Sequence, residues 1–279
     1  MATNRAPAPE QTTAEILVVG NELLNGTTLD TNSHWFCTRL DSFGVKVQRK
    51  TTIRDELETI SKTFRECISR KPDWLISVGG LGPTFDDMTI EGLAISLHRK
   101  LVLDDRAVSM LKASYARRAS LKIRKMSRSR LKMATIPENS TPLFNPVGSA
   151  PAVLVEYRRT KIVALPGVPK EMKAIFDQEI VPMLKRSINY LISERWLKIV
   201  GISESVLAPR INRIAHAHSP SIYIKSHPKG FEQGKSVLNI QLRATSARGD
   251  AKKVETDLEK ATLEVISSAR SLGARVKSI

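Results

Sequence analysis

The feature that most constrains the fold is the alternation, in the first half of the chain, of short apolar segments with longer amphipathic ones. Residues 15–19 and 74–78 have the length and the apolar composition of buried strands. Between them, apolar residues such as Trp35, Phe36 and Leu40 recur at helical spacing. Strands that alternate with amphipathic helices are typical of a parallel sheet with crossover helices, so we predict an α/β fold.

Beyond about residue 185 the pattern changes. It predicts a strand, a helix and two further strands, followed by a long amphipathic helix that ends at Gly273. The order β-α-β-β-α indicates a smaller C-terminal α+β domain over residues 189–279, after a larger α/β domain over residues 14–188. Residues 1–13 lack the apolar centre of a secretory signal, and we expect them to form a disordered tail.

Charge and cysteine content narrow the class of protein. Lys and Arg number 44 against 28 Asp and Glu, which favours anionic ligands. Cys37 and Cys67 belong to no CxxC or Cys/His cluster, so neither a disulfide framework nor a zinc site is indicated. No apolar run approaches the roughly 20 residues of a membrane span. We therefore expect a cytoplasmic protein with no membrane partner.

A basic segment interrupts the α/β pattern. Residues 101–133 are predicted to form one or two helices, and every charged residue from Lys112 to Lys132 is basic. The segment is either a solvated face or a source of phosphate ligands, for which Arg130 and Lys132 are the candidates. Aromatic residues make up only 5% of the chain and offer no obvious stacking surface, so we do not expect nucleic acid as a partner.

A glycine-rich loop over residues 79–87 directly follows the strand predicted at residues 74–78. Its glycines would let backbone N–H groups approach a phosphate, although a tight turn alone would need the same residues. Asp86 and Asp87 close the loop. We expect one of them to cap the next helix, and the pair to hold a metal ion or transfer a proton. No Lys follows the last glycine, so the loop is not a Walker A motif.

Other polar residues follow or precede predicted elements at the same edge of the sheet. Asn21 and Glu22 follow the first strand, Asp30 and Asn32 precede the next helix, and Asp55 follows the second strand. Each could simply cap a helix, as we expect of Asp55. Parallel strands bring all their carboxyl-end loops to one rim, however, and this arrangement predicts a shared ligand site.

Five segments carry a family resemblance: GNELLNGTTLDTN (20–32), IRDE (53–56), SVGGLGPTFDDMTIEG (77–92), RLKMATIPENSTPLFNPVGSAP (130–151) and LPGVPKEM (165–172). Together they resemble the MoaB/Mog-type molybdopterin-binding domain, specifically the CinA-like branch in its single-module archaeal form. The resemblance implies a three-layer α/β/α fold with a mostly parallel sheet, often assembled as a homo-oligomer. It also implies a nucleotide or pterin ligand bound by these loops.

The resemblance further implies a chemistry. Aspartates that match Asp55 and Asp87 are important in the molybdopterin-adenylating relatives. CinA-like proteins are associated with cleavage of ADP-ribose-type pyrophosphates that depends on a divalent metal (Mg, Mn or Co). Longer members carry a nicotinamide mononucleotide deamidase domain, for which this sequence has no room, so we expect no such activity. Asn21 stands where many bacterial members have aspartate, so one metal ligand would be replaced.

The rim of the sheet and the family motifs together form a candidate site. The catalytic candidates are Asp55, Asp86 and Asp87, and the last two are also the candidate metal ligands. The substrate-binding candidates are Asn21, Glu22, Asp30, Asn32, Gly79, Gly80, Leu81, Gly82, Pro83, Thr84, Thr89, Asn145, Gly148, Pro166, Gly167, Lys170 and Glu171. The alternative hypothesis is a non-catalytic module that binds molybdopterin or a nucleotide without turnover.

Overall fold

The computed structural model describes residues 11–117, 126–188, 190–218, 222–247 and 250–279. The chain contains two compact units, one spanning Thr12–Ile188 and the other containing Asn189–Ile279. Residues 1–10 of the predicted tail lie outside the described residues. Thr13 already begins the first strand and its amide donates to Asp73, so the prediction of a tail that reaches residue 13 is wrong.

The larger unit begins with the predicted alternation of strands and helices. Its elements are β1 (Thr13–Val19), α1 (Asn21–Leu24), α2 (Thr31–Ser42), β2 (Lys46–Ile53), α3 (Leu57–Ser69), β3 (Trp74–Val78), α4 (Thr89–Ser96), β4 (Leu101–Leu103), α5 (Asp105–Arg117), α6 (Arg128–Lys132), β5 (Thr135–Pro137), β6 (Thr141–Leu143), β7 (Ala152–Tyr157), β8 (Thr160–Leu165), α7 (Pro169–Ile175), a π-helical turn (Phe176–Ile180) and α8 (Val181–Ser187).

The main sheet of this unit has the strand order β2-β1-β3-β8-β7-β6. The first four strands run parallel, whereas β7 pairs antiparallel with β8 and β6 pairs antiparallel with β7 at one side. The hairpin predicted over residues 152–165 is confirmed as β7 and β8. Because β1 has β2 on one side and β3 on the other, the strand order reverses at β1, where ligands bind in open α/β sheets.

Helices cover the main sheet. Leu17 of β1 shares one buried cluster with Ile60 of α3 and Leu93 of α4. The neighbouring residue Ile16 points to the opposite face and is equally buried. Phe36 is fully buried in α2, a helix that contacts β1 and β2. The predicted three-layer α/β/α architecture with a mostly parallel sheet is confirmed.

The basic segment differs from its prediction. Leu101–Leu103 forms β4 and pairs antiparallel with β5, so the expectation of helix throughout residues 101–133 is wrong. The helix begins only after Asp104, whose Oδ1 accepts a hydrogen bond of 2.8 Å from the amide of Ala107. Residues 118–125 lie outside the described residues.

The smaller unit follows the order β-α-β-β-α-β. Its elements are β9 (Tyr190–Val200), α9 (Glu204–His218), β10 (Ile222–Glu232), β11 (Lys235–Ala247), α10 (Ala251–Ser271) and β12 (Arg275–Ser278). The strands form one antiparallel sheet in the order β10-β11-β9-β12. The α+β prediction is confirmed, but β12 was missed because its four residues are too short to show a pattern.

The longest helix of the smaller unit is α10, with 21 residues. Neither α10 nor any other helix of the described ranges is long and apolar enough to cross a membrane. The apolar residues of α10 instead face the antiparallel sheet, where Leu258, Ala261 and Val265 are fully buried.

A buried ion pair joins β1 to the residue that follows α3, near the end of β1 remote from the candidate site. Glu15 is 1% exposed, and its two carboxylate oxygens accept hydrogen bonds of 2.7 and 2.6 Å from Nε and Nη2 of Arg70. The hydrogen bond to Glu15 raises the pKa of Arg70 above its ordinary value. Nearby, burial raises the pKa of the Cys67 thiol to about 12, so this cysteine stays protonated at neutral pH.

We expect Arg70→Met to lower the free energy of unfolding by about 3 kcal/mol, because it leaves the buried Glu15 carboxylate unpaired. The double variant Glu15→Leu/Arg70→Met should recover most of that loss. Asp177→Asn is the control, since it breaks the half-exposed pair with Arg39 and should cost less than about 1 kcal/mol. Urea unfolding at neutral pH measures all three; equal losses for Arg70→Met and Asp177→Asn would contradict the argument.

Candidate functional site

The carboxyl ends of the parallel strands open onto one cavity. The loops that follow β1, β2, β3 and β8 all line it, and its volume is about 600 Å³. The predicted site residues on its wall are Glu22, Asp30, Asn32, Asp55, Gly79, Gly80, Leu81, Gly82, Pro83, Thr84, Asp86, Asp87, Pro166, Gly167 and Glu171. The topology therefore brings the separate sequence motifs to one rim.

Some predicted site residues do not line the cavity. Asn21, Thr89, Asn145, Gly148 and Lys170 are not among the lining residues. The backbone amide of Asn21 donates to Asp55 at 2.8 Å, and the buried Thr89 hydroxyl donates to the carbonyl oxygen of Gly79 at 2.8 Å. Asn21 and Thr89 therefore hold groups that face the cavity.

The loop after β3 approaches β1 so closely that only glycine fits there. Gly79 has φ +102°, and a Cβ atom there would lie 2.2 Å from the carbonyl oxygen of Val19. Gly80 has φ +67°, and a Cβ atom there would lie 2.3 Å from the Thr89 hydroxyl. Both positions require glycine, which keeps the backbone bare where it lines the cavity.

The two aspartates of the loop are organised by one threonine. The Thr84 hydroxyl is in hydrogen-bond contact with the carboxylates of both Asp86 and Asp87, and the Thr84 amide donates to Asp87 Oδ2 at 2.9 Å. The N-cap of α4 is Met88, without a side-chain capping bond. The expectation that one aspartate caps this helix is therefore wrong, because Asp87 turns back to Thr84.

Asp55 is a carboxylate whose ionisation is disfavoured by its surroundings. Burial raises the pKa of Asp55, and the charges of Glu22, Asp86 and Asp87 add to the rise. The hydrogen bond from the amide of Asn21 offsets part of this effect.

The expected capping by Asp55 is wrong too. The N-cap of α3 is the next residue along the chain, and it makes no side-chain capping bond.

Asp86 has the opposite tendency. The hydrogen bond from Thr84 lowers the pKa of Asp86, with help from its own backbone amide and from the charge of Lys132. The side chain of Asp86 thus remains ionised under conditions in which Asp55 more readily takes up a proton. The cavity wall combines carboxylates that differ in their affinity for a proton.

Asp30 and Asn32 link the first loop to its surroundings. Asp30 caps α2 by accepting a hydrogen bond of 2.9 Å from the amide of Ser33, so its capping interpretation is confirmed. Asn32 Nδ2 donates to the carbonyl oxygen of Gly167 at 2.7 Å and joins the loops after β1 and β8. Among the described residues, the buried Asn32 Oδ1 has no hydrogen-bond partner.

Asn145 arranges the opposite side of the cavity. It is 2% exposed, and its Nδ2 donates to the carbonyl oxygen of Ala150 at 2.8 Å and to Glu171 Oε2 at 2.7 Å. Its Oδ1 accepts from the amide of Gly148 at 2.6 Å. Asn145 therefore positions Glu171 on the wall from behind. Lys170, the neighbour of Glu171, is exposed at the start of α7.

Part of the basic segment folds onto the glycine loop. Lys132 Nζ contacts the carbonyl oxygen of Thr84, and the guanidinium of Arg130 lies 4.9 Å from the ring centroid of Tyr115. Arg117 Nη2 donates to the carbonyl oxygen of Asn145 at 3.0 Å. The described part of the segment is more than a solvated face, because it braces both sides of the cavity.

Sequence reasoning missed several lining residues. Tyr115 and Met133 reach the cavity from the basic segment, whose distance along the chain hid their role. A lone tyrosine among basic residues was the only signal, and it is a weak one. The remaining missed residues lie within three positions of predicted ones: Val18, Val19, Gly20, Leu23, Thr28, Leu29, Thr31, Val78, Ser149, Ala150, Val168 and Pro169.

The described residues offer a limited set of metal ligands. No group of three or more His, Cys, Asp or Glu side chains within the described ranges converges closely enough to hold a metal ion. Asp86 and Asp87 form a pair joined through Thr84. Such a pair suits only an ion that takes its other ligands from water and substrate phosphates, as Mg²⁺ commonly does.

Residues 15–186 match the family model described as "Probable molybdopterin binding domain". A protein of Metallosphaera sedula is 39% identical over 267 residues, which cover 96% of this chain and 94% of the relative. One of Sulfurisphaera tokodaii is 40% identical over 94% of this chain and 97% of its own length. The crystal structure of the protein CinA from Thermoplasma acidophilum, of unknown function, is 39% identical with a TM-score of 0.55, and the match covers 60% of this chain and 95% of that chain.

We expect Gly79→Ala to lower the free energy of unfolding by about 2 kcal/mol or more, because the added Cβ collides with the backbone of Val19. Gly26→Ala is the matched control. Gly26 also has positive φ, but no atom lies within 4 Å of its added Cβ, so the cost should be about 1 kcal/mol. Urea unfolding measures both, and a Gly79 variant no less stable than the Gly26 variant would refute the close approach.

Asp55→Asn should make the protein more stable at neutral pH. A carboxyl group whose pKa is raised by folding stabilises the folded state when protonated, and this contribution is lost as pH rises through the folded pKa. The gain from Asp55→Asn should therefore shrink as the pH falls through and below about 4, where Asp55 becomes protonated in the unfolded state as well. Asp86→Asn should have the opposite sign, because folding lowers the pKa of Asp86. Thermal melting between these pH values checks both signs.

Proposed function

The chain belongs to the family of probable molybdopterin-binding domains, and from this membership we propose that it binds a nucleotide-type pyrophosphate and hydrolyses it with the help of a divalent metal ion. The membership confirms the resemblance that the motifs predicted. The observation that carries the proposed chemistry is the juxtaposition, in one cavity, of a bare glycine backbone and carboxylates with opposite pKa shifts. The cavity volume of about 600 Å³ suits a ligand of nucleotide size.

The glycine loop would hold the diphosphate. Gly79, Gly80 and Gly82 line the cavity without side chains, so backbone N–H groups can approach anionic oxygens. The amino end of α4 lies directly after the loop and adds a partial positive charge. Lys132 is held at the same loop by its contact with Thr84 and contributes a full charge.

The loop aspartates would hold the metal. Asp86 favours the ionised form because Thr84 and Lys132 lower its pKa, and Asp87 is held beside it by the same threonine. A divalent ion bound there would neutralise charge on the diphosphate and acidify an attacking water. With only two protein carboxylates, the rest of its ligands would come from water and from substrate oxygens.

Asp55 would act as the general base. Folding raises the pKa of Asp55 toward neutral pH, and a carboxylate with a higher pKa accepts a proton from water more effectively. The water oxygen forms a bond to one phosphorus while the bond from that phosphorus to the bridging oxygen breaks, and Asp55 takes the proton of the water. With ADP-ribose the products are AMP and ribose 5-phosphate.

Polar residues on the remaining walls would orient the ribose. Asn32 Oδ1 is an acceptor that the described residues leave unsatisfied, and a ligand hydroxyl could donate to it. Glu171, fixed by Asn145, and Asp30 lie on the same wall and supply further acceptors.

The direct test is AMP release from ADP-ribose by the purified protein with Mg²⁺, Mn²⁺ or Co²⁺. Asp55→Asn should lower kcat by about 100-fold or more, since general acid-base catalysis contributes about 10² to 10⁴. Asp87→Asn should abolish metal-dependent AMP release. Glu58→Gln, on the exposed side of α3, is the control and should leave activity unchanged. AMP release that survives both aspartate variants, or is never seen with any metal, would refute the proposal.

A second candidate is a non-catalytic binder of molybdopterin or nucleotide. It is favoured by the absence, among the described residues, of a group of three metal-ligating side chains. Binding to the native state alone raises stability by about 2.7 kcal/mol at a ligand concentration 100 times the Kd. A rise in Tm with molybdopterin precursors or nucleotides, without product, would select this candidate. Sedimentation of the same preparation tests the homo-oligomer that the resemblance predicts.

A further inference from the structure

The smaller unit has one sheet face that its own helices do not cover. Leu197 of β9, Leu238 of β11 and Ile222 of β10 belong to a buried cluster with residues of both α9 and α10. Side chains alternate along a strand, so the helices occupy one face and the alternate residues point to the other. We call the latter the open face.

The open face carries aromatic and cationic side chains in register. Tyr223 pairs with Arg243, which pairs with Glu194. One row along, Lys225 pairs with Gln241, which pairs with Trp196.

The next row continues the same chemistry across all four strands. His227 pairs with Asn239, Asn239 with Lys198, and Lys198 with Lys277 of β12. The open face is therefore polar, aromatic and basic at positions that share one side of the sheet.

Trp196 and His227 form an aromatic platform, and Tyr223 adds an exposed ring elsewhere on the same face. The rings of Trp196 and His227 lie 5.2 Å apart with a 38° tilt, and Tyr223 is 58% exposed. His227 Nε2 lies 3.3 Å from Gln241 Oε1, which fixes the imidazole over β11. Broad and partly exposed rings on a rigid sheet suit a partner with flat aromatic groups of its own.

The charges select an anionic partner. The carboxylates of the face are already engaged, because Glu232 accepts from Lys198 at 2.7 and 2.8 Å and Glu194 accepts from Gln241. Within the described residues, the ion pairs give no carboxylate partner to Lys225 and Lys277.

A groove of about 590 Å³ extends the basic surface at one end of the sheet. Arg275, Lys198 and Lys277 line it. These cations lie within one or two strands of the aromatic platform, so an anionic chain in the groove would continue over the rings.

We propose that the open face binds single-stranded nucleic acid, with bases stacked on Trp196, His227 and Tyr223 and the phosphates contacted by Lys225, Lys277 and Arg275. A four-stranded antiparallel sheet with both helices behind it is an arrangement that can present unstacked bases to aromatic rings. An acidic peptide would satisfy the cations but would leave the ring platform without a flat partner. The low aromatic content of the whole chain led to the opposite expectation, because composition does not show that these rings share one face.

The test uses the full chain and a fluorescently labelled single-stranded oligoribonucleotide of about 12 nucleotides. Anisotropy should show binding that weakens with salt, with a log-log slope of about −0.7 for each phosphate neutralised. Lys225→Glu/Lys277→Glu should weaken binding by about tenfold or more. Trp196→Ala should also weaken it by about tenfold, and Trp196→Phe should keep most of the affinity because it retains a stacking ring.

The matched control is Lys253→Glu/Lys260→Glu on the exposed side of α10, which changes the net charge equally. It should alter the affinity by less than about twofold. Hydrolytic activity and thermal melting of Lys225→Glu/Lys277→Glu should match the unmodified protein, so its effect is separable from the proposed function.

Several results would overturn the proposal. Equal losses in the α10 control and in the open-face variant would mean unspecific charge attraction. Equal affinity for a duplex of the same sequence, or for polyglutamate, would exclude base stacking. Loss of binding in Lys112→Glu/Arg128→Glu, with binding kept in Lys225→Glu/Lys277→Glu, would move the site to the basic segment.

Discussion

The parallel pairing of β1 with β2 and β3 is the constraint on which the candidate site depends. Parallel strands must all end at the same edge, so loops that are distant in the chain meet there. The approach is closest at Gly79, whose backbone lies against the carbonyl of Val19 with no space for a side chain. The site is thus a consequence of sheet topology first and of side-chain chemistry second.

The acidic side chains of the site differ in pKa because their hydrogen-bond donors, charged neighbours and burial differ. Asp86 is held by a hydroxyl and lies near a lysine, and its pKa falls. Asp55 loses solvent and has three acidic neighbours, and its pKa rises. Repulsion among the like charges around Asp55 is unfavourable, and the amide of Asn21 offsets only part of the rise in its pKa. Such a cluster on the wall of a nucleotide-sized cavity is typical of sites whose function requires the charge.

The two units bury their sheets in different ways. In the larger unit, helices cover the main sheet, and the strands β1 and β3 are buried along nearly their whole length. In the smaller unit both helices lie on one face, and the strands alternate between apolar and polar residues. A strand that is buried on both faces can offer a ligand only the loops at its ends, whereas a strand of alternating apolar and polar residues leaves one whole face available to a partner.

The sequence by itself determined the α/β order, the smaller α+β unit and the wall formed by the glycine loop, Glu22 and Asp55, because periodicity and strand-end position are local properties. It did not determine which donor each carboxylate selects. Asp55 and Asp87 stand where either could have capped a helix, and each instead binds a group that folding brings to it. Folding also places Tyr115 and Met133 on the cavity wall, pairs β12 with β9 in the second sheet, and brings Trp196 beside His227. These contacts join residues that are far apart in the chain or follow patterns too short to recognise, so only the tertiary structure decided them.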